Sequence, residues 1–409
     1  MMKEKLVLIG NGMAGMRTVD ELLKLAPDKY QITVFGAEPH GNYNRIMLSP
    51  VLAGDKTIDD IIINDLQWYQ DNNIRLLSNT TVTKIDRVKR QVIADDGREV
   101  AYDRLVLATG SNPVMLSIPG AELEGVISFR DINDVNTMIE TAKTHNTAVV
   151  IGGGLLGLEA ANGLMQQGMD VTVVHRGNTL MNQQLDQAAA DLMRVELEAK
   201  GLQFLMQHTT HAFVGHDRVE KVQFENGTEI AADLVVMAIG VRPNIALAEK
   251  SGIQCDRGVL VNDTLQTYTP NIYAVGECVQ HRQQTFGLVA PLFEQAKVCA
   301  NHLAEMGIAM YMTAATATKL KVTGIDLFSA GDFLGDEYSE SIIYKDPQHF
   351  IYKKLVIKNN TIIGIVLYGD THDGQWYFSM LNEHQDISVL RSTLVFGQQY
   401  SEQIEAVAV

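Results

Sequence analysis

Two sets of glycines in this sequence have a spacing that binds dinucleotides. One set, Gly152, Gly154 and Gly157, lies in VVIGGGLLGLEAA at 149–161, where an apolar run leads into a turn and then a helical pattern. In a G-x-G-x-x-G turn the first glycine makes the tight turn, the second lets the backbone approach a pyrophosphate, and the third lets the helix pack on the strand. The helix N-terminus then offers unpaired N–H groups and partial positive charge to the phosphates.

The second set, Gly10, Gly12 and Gly15, lies in LVLIGNGMAG at 6–15. A single match to this spacing is a weak signal, because short glycine patterns also occur by chance. Two matches in one chain predict two bound dinucleotides, with electrons passing between them. Redox chemistry is therefore the first expectation for this protein.

Residues that follow the second strand of the N-terminal unit are candidates for contacts with the same cofactor. The run QITVF at 31–35 is followed by Glu38, and a carboxylate about 20 residues beyond the glycines can accept hydrogen bonds from a ribose. An exposed loop carboxylate is the alternative interpretation of Glu38. Arg45 could pair with a pyrophosphate, because a guanidinium binds phosphate through two hydrogen bonds. Its position alone is more typical of a surface residue.

His175 and Arg176 occupy the corresponding place in the second unit, directly after DVTVV at 170–174. A carboxylate at this place would bind the adenosine ribose of NADH. A neutral histidine followed by an arginine instead suits the extra 2′-phosphate of NADPH. The sequence favours NADPH but leaves NADH open, since loop residues vary without changing the preference.

Three further apolar runs end where the backbone can come close to a ligand. They end in Thr109 and Gly110, in Gly240, and in Gly276 and Glu277. The run ending at Gly240 repeats the pattern of the run ending at Gly110, so the second unit closes as the first one does. These endings are further candidates for cofactor binding.

The order of the elements predicts an α/β fold with two Rossmann-like dinucleotide-binding domains. If the chain after 241 rejoins the first unit, the second domain is inserted in the first. We expect one domain at 1–112 and 241–310, the inserted domain at 113–240, and a small α+β C-terminal domain at 311–409. The C-terminal domain is predicted to hold a hairpin of 350–357 and 361–368 and a helix near 375–383. Residues 57–78 are predicted to be helical.

Composition argues against several classes of function. The chain has 409 residues, 46% hydrophobic and 20% charged, which is typical of a globular protein with two or three domains. The net charge of −16 argues against nucleic acid or an anionic membrane as a partner. No apolar run is long enough for a transmembrane helix, and the chain begins with a strand pattern rather than a signal peptide.

Cysteine and lysine usage adds two expectations. The three cysteines are far apart, so no metal site and no disulfide framework is expected, and the cytoplasm is the expected compartment. Two basic runs, at 87–90 and 353–358, could meet an acidic electron carrier. We interpret both runs as solvated faces.

Five landmarks, taken in order, resemble a known family: the two-dinucleotide flavoprotein reductases, which include rubredoxin and ferredoxin reductases. They are GNGMAG at 10–15, YNRIMLS at 43–49, ATG at 108–110, GGGLLGLE at 152–159 and YAVGEC at 273–278. Three more phrases are most similar to the flavoprotein half of the assimilatory NAD(P)H nitrite reductase large subunit. They are LMNQQLD at 180–186, FGLVAP at 286–291 and VTGIDLFSAGDF at 322–333. The resemblance implies a glutathione-reductase-like fold with FAD and NAD(P)H as cofactors.

The resemblance also implies roles for single residues. The glycines at 10, 12 and 15 would hold the FAD pyrophosphate, Glu38 its ribose, and Arg45 would belong to the same pocket. Glu277, where the family usually has aspartate in A-x-G-D, would bind the ribityl or pyrophosphate region. The glycines at 152, 154 and 157 would hold the nicotinamide dinucleotide. Glu159 would lie near the nicotinamide and flavin rings as the catalytic residue. A first-turn carboxylate that is favoured by the helix dipole is its alternative interpretation.

Three departures from the family pattern narrow the chemistry. Related ferredoxin reductases often carry a lysine where this chain has Pro50, so an ion pair with the helix glutamate is not expected. The chain has neither a cysteine near the second landmark nor a C-x-x-C pair, which argues against disulfide, peroxide and coenzyme A disulfide reduction. It also lacks the cysteine clusters of iron–sulfur and sirohaem modules, so this chain alone is not expected to reduce nitrite.

The resemblance therefore predicts an FAD-dependent NAD(P)H:acceptor oxidoreductase. Its partner would be an iron–sulfur or haem protein, such as nitrate or nitrite reductase, rubredoxin or ferredoxin, with a role in nitrate or nitrite assimilation as the first interpretation. A rubredoxin or ferredoxin reductase that serves an oxygenase is an alternative of the same class. An NAD(H)-sensing flavoprotein with a signalling role is an alternative of another class. The sequence leaves open the acceptor, the oligomeric state and the role of the C-terminal domain.

Overall fold

A computed structural model describes residues 3–313, 316–322 and 324–401, apart from the side chains of 320–322. The helices of this part of the chain are α1 (Met13–Leu25), α2 (Leu48–Ala53), α3 (Leu66–Asp71), α4 (Ile132–Ala142), α5 (Leu155–Gln166), α6 (Gln187–Ala199), α7 (Ala246–Lys250), α8 (Val289–Leu303) and α9 (Gly374–Glu383). The strands up to the first crossing are β1 (Glu4–Ile9), β2 (Tyr30–Phe35), β3 (Asn42–Tyr43), β4 (Ile62–Asn64), β5 (Arg75–Leu77), β6 (Val82–Asp86), β7 (Gln91–Ala94), β8 (Glu99–Ala101), β9 (Arg104–Leu107) and β10 (Ser111–Pro113).

The remaining strands belong to the second unit, to the return of the chain and to the C-terminal sheet. They are β11 (Val126–Ser128), β12 (Thr147–Ile151), β13 (Asp170–His175), β14 (Gln203–Met206), β15 (Thr210–Gly215), β16 (Val219–Phe224), β17 (Glu229–Ala231), β18 (Leu234–Met237), β19 (Val241–Pro243), β20 (Val259–Val261), β21 (Ile272–Ala274), β22 (Val279–His281), β23 (Gln284–Thr285), β24 (Ala317–Val322), β25 (Ile325–Gly331), β26 (Glu340–Asp346), β27 (Ile351–Lys358) and β28 (Thr361–Tyr368).

The first unit is built on a five-stranded parallel sheet in the order β21-β9-β1-β2-β5. Its central strands are uninterrupted apolar runs, and Leu6, Val7, Leu8 and Ile9 of β1 are all buried. Such runs are typical of parallel strands that are covered on both faces. Buried residues of α1 and α8 belong to the same core, which places helices against this sheet.

The second unit repeats this plan with a parallel sheet in the order β11-β18-β12-β13-β14. Strand β21 pairs with β9 of the first sheet although the whole second sheet lies between them in the sequence. The second unit is therefore inserted in the first, which confirms the predicted architecture. The two chain crossings, β10 and β19, pair antiparallel with each other.

The C-terminal unit is a five-stranded antiparallel sheet in the order β24-β25-β28-β27-β26, followed by α9. The predicted hairpin is β27 and β28, and the predicted helix is α9. Asn359 and Asn360 make the hairpin turn with left-handed φ values of +52° and +55°. Asparagine adopts this conformation more readily than most residues, so the sequence specifies the turn.

The C-terminal sheet packs on helix α6 of the inserted unit. Tyr352 donates its hydroxyl hydrogen to Asp186 Oδ2 at 2.8 Å, and Tyr368 donates to Glu196 Oε2 at 2.6 Å. Lys354 Nζ also lies 3.2 Å from Asp186 Oδ2. The interpretation of 353–358 as a solvated face is wrong for Lys353 and Lys354, which are only 6% and 9% exposed. Both lysines are buried because carboxylates pair with them: Lys354 with Asp186, and Lys353 with Asp370 at 2.6 Å.

The prediction of a helix over 57–78 is also wrong. This segment holds β4 and β5, with only the short helix α3 between them. Asp65 caps α3 by accepting the N–H of Trp68 at 2.8 Å, and the chain leaves the helix through Asn73, whose φ is +55°. Pairing of β4 with β3 and of β5 with β2 thus overrides the local helical pattern. None of the helices described for this chain is both long and apolar enough to cross a membrane.

Candidate functional site

The first glycine of each fingerprint makes a turn that no other residue could make. Gly10 has a φ of +112°, and a Cβ there would stand 2.1 Å from the carbonyl oxygen of Ala108. Gly152 has a φ of +126°, and its Cβ would stand 2.3 Å from the carbonyl oxygen of Ala238. In both units the turn thus passes against the residue that follows the neighbouring strand, β9 or β18.

The second glycine of each fingerprint leaves open space. A Cβ on Gly12 or on Gly154 would have no heavy atom within 4 Å. Both glycines are helix N-caps in extended conformation, and neither has a side chain with which to cap its helix. The first N–H groups of α1 and α5 therefore have no capping side chain as an acceptor. Uncapped N–H groups at a helix N-terminus are the donors that bind a phosphate.

The third glycine of each fingerprint allows the helix to lie against the turn. A Cβ on Gly15 would stand 2.9 Å from the carbonyl oxygen of Gly10, and one on Gly157 would stand 1.9 Å from that of Gly152. The two units therefore use one geometry: a tight turn, an open side and a close helix. This is the geometry required where a pyrophosphate meets a helix N-terminus.

Asn11, which sequence reasoning did not single out, fixes the first of these turns. Tyr69 donates its hydroxyl hydrogen to Asn11 Oδ1 at 2.6 Å, and Asn11 Nδ2 donates to the carbonyl oxygen of His40 at 3.2 Å. Asn42 Nδ2 donates to the carbonyl oxygen of Asn11 at 3.0 Å. The loop therefore reaches its shape through side chains of α3 and of the segment around β3, far from it in sequence.

Two predicted site residues, Glu38 and Arg45, contact each other. Arg45 Nη2 donates to Glu38 Oε1 at 2.9 Å, and Tyr43 donates its hydroxyl hydrogen to Glu38 Oε2 at 2.8 Å. The Arg45 guanidinium also lies 5.3 Å from the centre of the Tyr43 ring. Burial raises the pKa of Tyr43 well above its usual value, so the phenol keeps its hydrogen for Glu38. The carboxylate is thereby held in one orientation near the first glycine turn.

Arg130 is a second residue that the sequence did not single out. It lies between β11 and α4 of the inserted unit, and its guanidinium pairs with Glu277 of the first unit. Arg130 Nη2 also donates to Ser111 Oγ at 2.9 Å, and Ser111 donates its hydroxyl hydrogen to Glu277 Oε2 at 2.6 Å. The carbonyl oxygen of Arg130 accepts a hydrogen bond from Arg45 Nη1 at 2.6 Å. Arg130 therefore connects two parts of the candidate FAD site across the unit boundary.

The residues around Arg130 fit a bound dinucleotide. Arg130 Nε is buried and has no hydrogen-bond partner among the described residues, which is costly for a charged donor. Gly276 precedes Glu277 with a φ of +91° and would bring a Cβ within 3.0 Å of the Ala14 side chain in α1. The buried Arg130 Nε could donate to a hydroxyl or phosphate oxygen of FAD. Gly276 has no side chain, so the cofactor could approach its backbone beside the first glycine turn.

Thr109, Gly110 and Gly240 lie at the crossings between the two units. Thr109 donates its hydroxyl hydrogen to the carbonyl oxygen of Asn244 at 2.7 Å, and the N–H of Asn244 donates to the carbonyl oxygen of Gly110 at 2.9 Å. Gly110 and Gly240 have φ values of +66° and +119°. These residues shape the two connections that join the parallel sheets.

Glu159 meets Ser49 where the two units face each other. Ser49, in α2 of the first unit, donates its hydroxyl hydrogen to Glu159 Oε2 in α5 at 2.7 Å. Burial raises the pKa of the Glu159 carboxyl, and the hydrogen bond from Ser49 opposes that rise. Among the described residues no ion pair reaches Glu159, and Pro50 follows Ser49 in α2.

His175 and Arg176 are adjacent in sequence but have different environments. Both ring nitrogens of His175 face the protein backbone: Nδ1 lies 3.2 Å from the nitrogen of Gly153, and Nε2 lies 3.1 Å from the carbonyl oxygen of Thr179. Arg176 is exposed. The predicted roles of both residues in cofactor binding stay predictions.

The cysteines offer no reactive thiol near these sites. All three are free, and Cys278 and Cys299 are buried. Burial raises the pKa of the Cys278 thiol, which lies 3.3 Å from the carbonyl oxygen of Val275. Among the residues that the structure describes, no group of three or more acidic, histidine or cysteine side chains could hold a metal ion.

Comparison with known sequences adds two relatives from Bacillus subtilis (strain 168). The chain is 53% identical over 386 residues to an NAD(P)H nitrite reductase, which covers 94% of this chain and 48% of the relative. It is 46% identical over 395 residues to an assimilatory nitrate reductase electron transfer subunit, which covers 97% of this chain and 51% of the relative. The chain spans about half the length of these relatives.

Comparison with solved structures adds the NADH:rubredoxin oxidoreductase of Clostridium acetobutylicum. It is 25% identical with a TM-score of 0.80, and the match covers 95% of this chain and 97% of the other. Residues 317–385 match the C-terminal domain of rubredoxin NAD+ reductase, and residues 4–302 match the pyridine nucleotide-disulphide oxidoreductase model. Because the match over residues 4–302 spans most of its length, the chain belongs to the pyridine nucleotide-disulphide oxidoreductase family and is an oxidoreductase.

Proposed function

We propose that this protein is an NAD(P)H-dependent FAD oxidoreductase that passes electrons to a separate redox protein of nitrate or nitrite assimilation. The observation that carries the proposal is the repeated glycine geometry, which gives one chain two open phosphate turns. Such a turn is the fingerprint of a dinucleotide site, and two of them in one chain suit a nicotinamide donor and a flavin acceptor. The two relatives from Bacillus subtilis support the metabolic role.

Residues 1–112 and 241–310 form the FAD-binding domain in this proposal, 113–240 the NAD(P)H-binding domain, and 311–409 the C-terminal domain. The turn at Gly10, Gly12 and Gly15 binds the FAD pyrophosphate, and Glu38 binds its adenosine ribose while Arg45 keeps that carboxylate in place. The hydrogen bonds between Arg45 and Glu38 support this division of roles.

Glu277, Gly276, Thr109 and Gly110 line the opposite part of the FAD site in the proposal. Arg130 joins them, because its guanidinium pairs with Glu277 and its Nε remains available to an acceptor on FAD. An arginine from the inserted domain thereby contacts a cofactor that the first domain binds. Binding of FAD would therefore also stabilise the arrangement of the two domains.

The turn at Gly152, Gly154 and Gly157 binds the nicotinamide dinucleotide, next to His175 and Arg176, while Gly240 leaves room at the crossing. Bound FAD would supply the chemistry of hydride acceptance from NAD(P)H and of electron transfer to a one-electron carrier. In this proposal Glu159 holds a proton beside the reacting rings. Burial raises the pKa of its carboxyl, and Ser49 donates its hydroxyl hydrogen to Oε2 from the first domain.

Two further parts of the proposal concern the partner and the compartment. An iron–sulfur or haem protein is the proposed acceptor, which the match to an assimilatory nitrate reductase electron transfer subunit supports. The three free thiols support a cytoplasmic location, where cysteines stay reduced. A rubredoxin or ferredoxin reductase is the second candidate function, which the match to the rubredoxin NAD+ reductase C-terminal domain favours.

Turnover with purified carriers tests this choice. The protein, loaded with FAD, is supplied with NADH or NADPH and with rubredoxin, a plant-type ferredoxin, or a nitrate reductase catalytic subunit. We expect the nitrate reductase subunit to be reduced with the highest kcat/KM. Faster reduction of rubredoxin or ferredoxin would favour the second candidate, and absence of turnover with every carrier would contradict both.

A further inference from the structure

Gly153, the middle residue of the GGG turn, is held by hydrogen bonds on both of its backbone groups. Its N–H donates to His175 Nδ1 at 3.2 Å, and its carbonyl oxygen accepts the N–H of Met181 at 2.9 Å. A Cβ on Gly153 would stand 3.0 Å from Cγ of His175 and 2.5 Å from the side chain of Leu180. The peptide between the first two fingerprint glycines therefore lies directly on the imidazole ring.

The same contacts determine the protonation of His175. Nε2 faces the carbonyl oxygen of Thr179 at 3.1 Å and must donate, whereas Nδ1 faces an N–H and must accept. Only the neutral ring with its hydrogen on Nε2 satisfies both contacts. Burial lowers the pKa of His175, opposed by the hydrogen bond to Thr179 and aided by the charge of Arg176, and this favours the neutral form. Neither nitrogen is left for a phosphate.

Arg176 differs from His175 in each of these respects. Strand β13 ends at His175, and successive side chains of a strand point to opposite faces. His175 accordingly packs under the turn, and a Cβ on Gly177 would also stand 3.0 Å from its Nε2. Arg176 is exposed, and none of the described hydrogen bonds or ion pairs involves its guanidinium. It is therefore free to bind an anion.

We infer that His175 is a positioning residue that holds the dinucleotide turn through Gly153 and so affects the binding of NADH and NADPH equally. Of these two residues, only Arg176 discriminates between them, by binding the 2′-phosphate. The inference rests on the proposed nicotinamide site at Gly152, Gly154 and Gly157. It revises the sequence interpretation, in which both residues suited the phosphate. Arg176 thus distinguishes a dinucleotide with a phosphate on its adenosine ribose from one without that phosphate.

Binding of NAD+ and NADP+ to the oxidised, FAD-loaded protein tests the inference by calorimetry, without turnover. His175→Leu removes both polar contacts and leaves the N–H of Gly153 unpaired, so we expect both nucleotides to bind about tenfold more weakly. Arg176→Ala should weaken NADP+ by about 10- to 100-fold and leave NAD+ unchanged, because only NADP+ offers a charged partner. His175→Asn is the rescue variant, since its Oδ1 lies about where Nδ1 lies and can accept from Gly153.

The FAD absorbance and the Tm of each variant serve as controls, because the FAD turn belongs to the other sheet. If His175→Leu does not fold, the comparison of His175→Asn with His175→Gln decides, and Asn should bind both nucleotides more tightly. Loss of NADP+ affinity alone in the His175 variants would overturn the inference and assign the phosphate to the ring. Unchanged affinity for both nucleotides would also overturn it. If the unaltered protein bound neither nucleotide, the proposed function itself would fail.

Discussion

Ser49 donates its hydroxyl hydrogen to Glu159 at 2.7 Å, and this contact joins α2 of the first unit to α5 of the inserted unit. A carboxylate at this place in related reductases often faces a lysine, but the chain has Pro50 there. A neutral hydroxyl stabilises a carboxylate less than an ammonium group does. Glu159 therefore stays easier to protonate than it would be in an ion pair, which suits a residue that holds a proton.

Ser49→Ala should shift the pH dependence of flavin reduction to higher pH. The hydroxyl lowers the pKa of Glu159, so its removal lets burial raise that pKa further. The rate of reduction by NAD(P)H, measured from pH 5.5 to 9, reports the shift. Ser49→Thr keeps a hydroxyl and serves as the control. Identical pH profiles for the two variants would show that the hydrogen bond does not tune Glu159.

Glu159→Gln should stabilise the protein, and more so as the pH rises. Burial raises the pKa of Glu159 in the folded state above its ordinary value of 4.5. Folding is therefore not penalised below pH 4.5, where the carboxyl is protonated in both states, and the native protein loses stability as the pH rises through the folded-state pKa. The amide cannot ionise and avoids that loss. We expect the Tm of the variant to exceed that of the native protein by about 2 °C at pH 8, and by less at pH 4.5. Glu122→Gln, on an exposed carboxylate, is the control and should show no such trend.

Arg130→Met should weaken the binding of FAD by about 10- to 100-fold. The substitution leaves Glu277, which is 17% exposed, without the charge that pairs with it, and it removes the free Nε donor. Fluorescence of released flavin during dialysis measures the affinity. Arg98→Met removes an exposed arginine whose pair is with Asp96 and should have no effect. Equal FAD affinity in the two variants would rule out a role for Arg130 in holding the cofactor.

Gly157→Ala and Gly154→Ala should both weaken nicotinamide binding, but only Gly157→Ala should also destabilise the fold. A methyl group at 157 would collide with the carbonyl oxygen of Gly152, so Gly157→Ala should lower the Tm and abolish binding of NAD(P)+. A methyl group at 154 meets nothing within 4 Å, so the fold should tolerate it. It would nevertheless occupy the side that a pyrophosphate approaches, and we expect NAD(P)+ affinity to fall about tenfold. Native affinity in Gly154→Ala would place the phosphates elsewhere.

The sequence predicted the two parallel sheets because buried parallel strands read as continuous apolar runs, and the glycine turns mark where each first strand ends. The hairpin at Asn359 and Asn360 is also predictable from neighbouring residues, because its turn is specified by two residues that tolerate a positive φ. Contacts between distant segments were not predicted. Arg130 pairs with Glu277, which lies 147 positions away, and no spacing rule connects them.

His175 shows the same limit within one motif. The sequence predicts a strand at 170–174 with His175 after it, whereas His175 is the last residue of β13. The direction of its ring depends on Gly153 and Thr179, which contact it only in the folded chain. Lys353 and Lys354 read as a solvated run for the same reason. Their carboxylate partners, Asp370 and Asp186, come from other elements.

Anaerobic stopped-flow reduction of the FAD-loaded protein by NADH and by NADPH, in separate experiments, tests the central claim most directly. We expect rapid loss of the oxidised-flavin absorbance with at least one of them, and faster loss with NADPH if Arg176 selects the phosphate. A preference for NADH would show that Arg176 does not select. No loss of absorbance with either nucleotide would contradict the claim that the two glycine turns hold a donor and an acceptor of the same electrons.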